Sequence, residues 1–129
     1  MVICILLLLM VFSSACAADN SKISTGILDI TQWDFNIDGN ISLDGDWEFY
    51  WNKLLNYKDL YEEEPNLYAD VPHTWNAYSK NGEGYATYRL HVKTNLSKET
   101  MLAFRIDTFS SAYNLYIDDK LVASNGNTC

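Results

Sequence analysis

The spacing of apolar and polar residues changes rhythm several times along this chain. Residues 2–12 are unbroken apolar, and no charged residue occurs before Asp19. Beyond that point the dominant period is two, the mark of strands with one face turned inward. A short strand is predicted over 27–30, after Gly26 interrupts an Ile- and Thr-rich run. In "DWEFYW", residues 46–51, Trp47, Phe49 and Trp51 alternate with Asp46, Glu48 and Tyr50. That is a strand with a large apolar face. Tyr88, Leu90 and Val92 alternate with Thr87, Arg89, His91 and Lys93, predicting one amphipathic strand over 87–93. "MLAFRI" turns Leu102, Phe104 and Ile106 inward, and "AYNLYIDDKLVAS" reads as two strands around a tight turn at Asp118-Asp119. Tyr113 and Tyr116 fall on opposite faces of the first of these strands.

Only one segment suggests a helix. "NKLLNYKDLYEEEPN", residues 52–66, offers Asn52 as a cap and Pro65 as a stop, with Glu62 to Glu64 on a solvated face or loop. Val71-Pro72 suits a strand end, because proline cannot donate to a central ladder. "SKNGEG" is a polar loop. Several short strands, one short helix and no βαβ alternation predict an all-β antiparallel sandwich.

The stretch 33–45 carries a competing signal. Asp34, Asn36, Asp38, Gly39 and Ile41 nearly reproduce the start of an EF-hand calcium loop. The flanks are β-like, however, and the twelfth position is Gly45, where that loop needs a bidentate Glu. Asp, Asn and Gly are also what turns favour, so no high-affinity calcium site is expected. Asp44, Asp46 and Glu48 are expected on one solvated sheet face.

Composition and charge narrow the function. The formal net charge is −8 with no basic cluster, which excludes nucleic acid as a partner, since phosphate contacts need Lys and Arg. Aromatic residues make up 14%, enough to fill a sheet core or to stud a binding face. Residues 1–18 are expected to be a signal peptide: the 2–12 run is too short to span a membrane, and small residues follow. Cleavage near Ala17 or Ala18 is one reading, and lipidation of Cys16 in "SSAC" is the other. A basic segment is missing, since no Lys or Arg precedes Lys22. Cys4 and Cys16 fall in this leader and Cys129 is terminal, which leaves no disulfide within the domain. With only His73 and His91 besides, neither a metal site nor a metal cofactor is expected. No phosphate-binding glycine loop, nucleophile elbow or singled-out carboxylate pair is present, so no catalytic activity is expected of this chain.

The ordered series "LDGDWEFYW", "VPHTWN", "GYATYRLHV" and "LAFRIDTFSSAYNLYIDDKLVASNG" resembles the amino-terminal extracellular domain of bacterial seven-transmembrane receptors with diverse intracellular signalling modules. The resemblance covers about Gly26 to Gly126. The series is also similar to the sugar-binding domain preceding the barrel of glycoside hydrolase family 2. Both imply a galactose-binding-like jelly roll over residues 19–129. The first implies an exported, noncatalytic sensor of a small molecule or carbohydrate, at the outer face of the cytoplasmic membrane, the cell surface or the periplasm. Transmembrane and signalling domains would then follow elsewhere in the parent protein. The second implies an accessory domain of a glycosidase. Asp118-Asp119 departs from the Asn-Gly usual in such hairpins, and Cys129 falls before the jelly roll's later strands, so a C-terminally truncated domain is expected.

The expected ligand-binding residues are Trp75, Asn76, Tyr85 and Arg89. Trp75 or Tyr85 would stack on a sugar ring, while Asn76 and Arg89 would bond its hydroxyls. The competing reading makes Trp75 and Tyr88 core and pairs Arg89 with a carboxylate on the sheet face. His73, after Pro72, is expected in solvent.

Overall fold

The computed structural model describes residues 23–74, 77–78, 83–107 and 110–127. The expected leader, together with Trp75 and Asn76, lies outside these residues. Among the described residues the chain is built from strands: β1 (Ile27–Asp29), β2 (Gly45–Trp51), β3 (Leu67–Val71), β4 (Ala86–Arg89), β5 (His91–Lys93), β6 (Tyr113–Ile117) and β7 (Lys120–Asn125). They form a three-stranded sheet in the order β3-β2-β4, a β1-β5 pair and a β6-β7 hairpin. The all-β expectation holds, and no described helix is long and apolar enough to cross a membrane.

β2 is the centre of the largest sheet, antiparallel to both neighbours, with Phe49 opposite Leu67 on one side and Tyr88 on the other. Central position explains why its burial does not follow the simple alternation. Glu48, Phe49 and Tyr50 are all buried, so both faces of the strand are covered at its middle. The expected solvated face is therefore corrected at Glu48, which is 8% exposed.

The single strand expected over 87–93 is in fact two. Arg89 ends the ladder with β2, and His91 begins a parallel ladder with β1, its N–H donating to the Gly26 carbonyl at 2.8 Å. Leu90 sits at the crossing and packs against the buried cluster of Ile23, Leu28 and Ile30. The run thus divides between two sheets, and the parallel β1–β5 pair departs from the all-antiparallel expectation. Gly26 makes the close approach workable. Its φ is +71°, and a Cβ there would lie 2.6 Å from Glu48 Cγ.

The expected helix shrinks to one 3-10 turn, Asp59–Tyr61. Asn52 is not its cap; it adopts the left-handed conformation at φ 54° and donates its N–H to the Tyr85 carbonyl at 2.9 Å. Thr87 of β4 captures the loop instead. Its hydroxyl accepts from the Leu55 N–H at 3.0 Å and donates to the Lys53 carbonyl at 2.9 Å. Those bonds replace the i→i−4 ladder that a helix needs. The Asn56 side chain braces the approach to the short turn, its Oδ1 accepting from the Lys58 and Asp59 N–H groups at 2.9 and 3.1 Å.

The hairpin matches its expectation, with the turn at Asp118-Asp119 and Asp118 at φ 54°. Tyr113 is half-buried and Tyr116 exposed. "MLAFRI" does not form a strand. Leu102, Phe104 and Ile106 are 45%, 52% and 37% exposed, and they line an open groove of about 330 Å³ with Leu115, Ile117, Val122 and Ala123. Alternation placed these side chains on one side correctly, but no described segment pairs with their backbone.

Candidate functional site

Two groups of side chains meet around β2 and β4. The first is charged. Glu48 and Arg89 are direct cross-strand partners, and Arg89 Nε donates to Glu48 Oε2 while Nη1 donates to the Leu60 carbonyl. Tyr50 donates its hydroxyl to the same carboxylate oxygen at 3.0 Å, and the Arg89 guanidinium lies 5.6 Å from the Tyr50 ring centroid. His91 Nε2 stands 3.5 Å from Glu48 Oε1. The carboxylate is thus surrounded by donors from β2, β4 and β5. Arg89 is paired with a carboxylate, that of Glu48. Its Nε and Nη1 are engaged within the protein.

Tyr50 is fully buried, and burial pushes its hydroxyl up to about 12, reinforced by the hydrogen bond to Glu48. A phenol whose folded value exceeds its unfolded value of 10 holds its proton where the unfolded chain has lost it. Its contribution to stability is therefore complete below pH 10 and lost between about 10 and 12. Stability measured by urea unfolding is expected to fall across that window. Tyr50→Phe should flatten the fall, at the cost of about 1 kcal/mol at neutral pH for the lost hydrogen bond. An unchanged alkaline slope in the variant would show that other groups carry it.

The second group is aromatic. Phe49 packs against Tyr78 at 4.6 Å between centroids, edge-on to Tyr88 at 4.9 Å, and stacks with Trp51 at 5.9 Å. Gly84 seats the next stretch of chain on this cluster. Its φ is +152°, and a Cβ there would stand 2.4 Å from the Trp51 ring. Tyr85 follows immediately, is 49% exposed, and has its carbonyl held by Asn52 N–H. The exposed ring therefore projects from an anchored backbone rather than from a free loop. Tyr88 is half-buried, short of the core position that the competing reading gives it. His73 is exposed, its Nδ1 2.8 Å from the Thr74 carbonyl.

Tyr85 immediately precedes β4 and Arg89 ends it, and the two have different duties. Trp75 and Asn76 are not among the described residues. Sequence reasoning offered an Arg89–carboxylate pair on the sheet face but did not identify Glu48 as the partner or join Tyr50 to it, because both depend on β2–β4 register. The available signal was a Glu inside "DWEFYW" and an Arg inside "TYRLH", two charges in otherwise aromatic strands.

The Asp34 turn uses its own acids internally. Asp34 Oδ1 accepts from Asn36 N–H at 2.9 Å, and Asp38 Oδ2 accepts from Asp34 N–H at 2.8 Å. Comparisons with protein-family models, curated proteins and solved structures find no match to this chain.

Proposed function

We propose that this chain is a noncatalytic, exported ligand-sensing module of jelly-roll type that binds carbohydrate and belongs to a membrane signalling receptor. The observation that carries the reading is the half-exposed Tyr85 ring, held by Gly84 and Asn52 at the rim of the Phe49–Trp51–Tyr78–Tyr88 cluster. An aromatic ring on an anchored backbone offers a flat apolar surface to the C–H face of a sugar with little ordering cost. The resemblance of the motif series to receptor outer domains supports the sensory role, and the acidic chain favours neutral sugars over anionic ones. Trp75 and Asn76 are assigned to the same site by their place in the "VPHTWNAYSKNGEGYATYR" segment that also carries Tyr85. With its Nε and Nη1 engaged by Glu48 and Leu60, Arg89 acts chiefly by holding β4 in place.

A glycan array followed by titration of wild type and Tyr85→Ala tests this. Tyr85→Ala should leave stability nearly unchanged, because half the ring is already in water, and should weaken sugar binding by about tenfold or more. Identical binding by the variant would remove Tyr85 from the site. The absence of any bound glycan would remove the carbohydrate reading.

A further inference from the structure

β1 and β5 are parallel, so the chain leaves both at the same end. Two loops therefore diverge from one place, residues 30–43 after β1 and residues 94–102 after β5, and they enclose an open crevice of about 470 Å³. Ligand sites commonly fall at about 300–1,000 Å³. The walls are tied at their base. Ile30 N–H donates to the Lys93 carbonyl at 2.8 Å, and Asn95 Nδ2 donates to the Thr31 carbonyl at 3.2 Å.

The lining divides by chemistry. Trp33 and Phe35 are half-buried and pack inward against Ile23, Leu28 and Ile30, which fixes their rings to the core. The Trp33 indole N–H donates to the Gly39 carbonyl at 3.1 Å, so its orientation is set and the ring offers apolar surface rather than a donor. Polar groups come from Asp34, Asn36 and Thr100. The turn carrying the first two is braced by Asp38 N–H donating to the Asp34 carbonyl at 2.7 Å, in addition to the carboxylate bonds already described. The second loop is braced by Thr100 N–H donating to the Ser97 carbonyl at 3.0 Å.

We infer that this crevice is a second carbohydrate subsite, taking a neutral pyranose with Trp33 and Phe35 against its C–H face and Asp34 and Asn36 on its hydroxyls. The inference rests on the carbohydrate reading above but places the contact on other elements than the approach to β4. A carboxylate beside a carboxamide supplies acceptors and a donor for neighbouring hydroxyls. The carboxylate also disfavours sugar acids. Leu102 lines both this crevice and the separate groove of Phe104 and Ile106.

The test is a heteronuclear NMR titration of the full chain with neutral hexoses, N-acetylated hexosamines, their disaccharides and a uronic acid. The Trp33 indole signal is assigned through Trp33→Phe. Neutral sugars are expected to shift the Trp33 indole and Asn36 signals. Asn36→Ala, whose backbone N–H still reaches Asp34, should weaken that binding about tenfold with an unchanged melting midpoint. The uronic acid should bind more weakly. Binding that depends on Tyr85 and is the same in Asn36→Ala would overturn the crevice assignment and leave the carbohydrate reading standing. No shift with any sugar would overturn both.

Discussion

Replacing Arg89 with Ala is expected to destabilise the chain by about 3–5 kcal/mol, read as a lowered urea midpoint. Glu48 is the reason. Its side chain is 10% exposed and that of Arg89 20%, so removing the guanidinium strands a carboxylate away from water. The Tyr50 hydroxyl at 3.0 Å and His91 at 3.5 Å remain, and neither is a permanent cation. The Leu60 carbonyl loses its donor as well. Two comparisons separate this from a generic loss of packing. Lys53→Ala breaks the Lys53–Glu63 pair, whose side chains are 38% and 39% exposed, and should cost less than about 1 kcal/mol. Joint replacement of Glu48 by Leu and Arg89 by Met should restore most of the lost stability, because the stranded charge goes with its partner. If Arg89→Ala cost no more than Lys53→Ala, the buried-charge account of this cluster would be wrong.

How much of this was legible in the sequence follows from the range of the forces involved. β2 and the β6–β7 hairpin were readable because alternation and turn chemistry act over a few residues. The helix expected over 52–66 was not. Its local signals were sound, but the Thr87 hydroxyl, more than thirty residues away, takes the Leu55 amide and the Lys53 carbonyl. The single strand over 87–93 failed for a related reason. Alternation continues through Leu90, yet the partner changes there from β2 to β1, and partner identity leaves no trace in period two. Glu48 shows the limit for the site. A charge on an alternating strand reads as solvent-facing until register sets an Arg opposite it. Tyr85 was legible as an exposed aromatic because Gly84 precedes it. The crevice beyond β1 and β5 was not, since it exists only through their parallel pairing.

Phe49 and Phe104 make the sharpest contrast between pattern and packing. Both belong to alternating apolar runs, and the sequence treats them alike. Phe49 is 1% exposed and touches Trp51, Tyr78 and Tyr88, whereas Phe104 is 52% exposed over an open groove. Phe49→Ala is therefore expected to cost about 3–5 kcal/mol, through lost transfer energy and a cavity that β3 and β4, paired to β2, cannot close. It should also loosen the Trp51 ring on which Gly84 rests, and with it the approach to Tyr85. Phe104→Ala removes the same atoms from a site already half in water and should cost about 1 kcal/mol or less. Parallel urea unfolding of the two variants reads the difference directly. Equal large costs would mean that residues 101–107 pack inward as their alternation implies, against a partner strand that the sheets among the described residues do not contain.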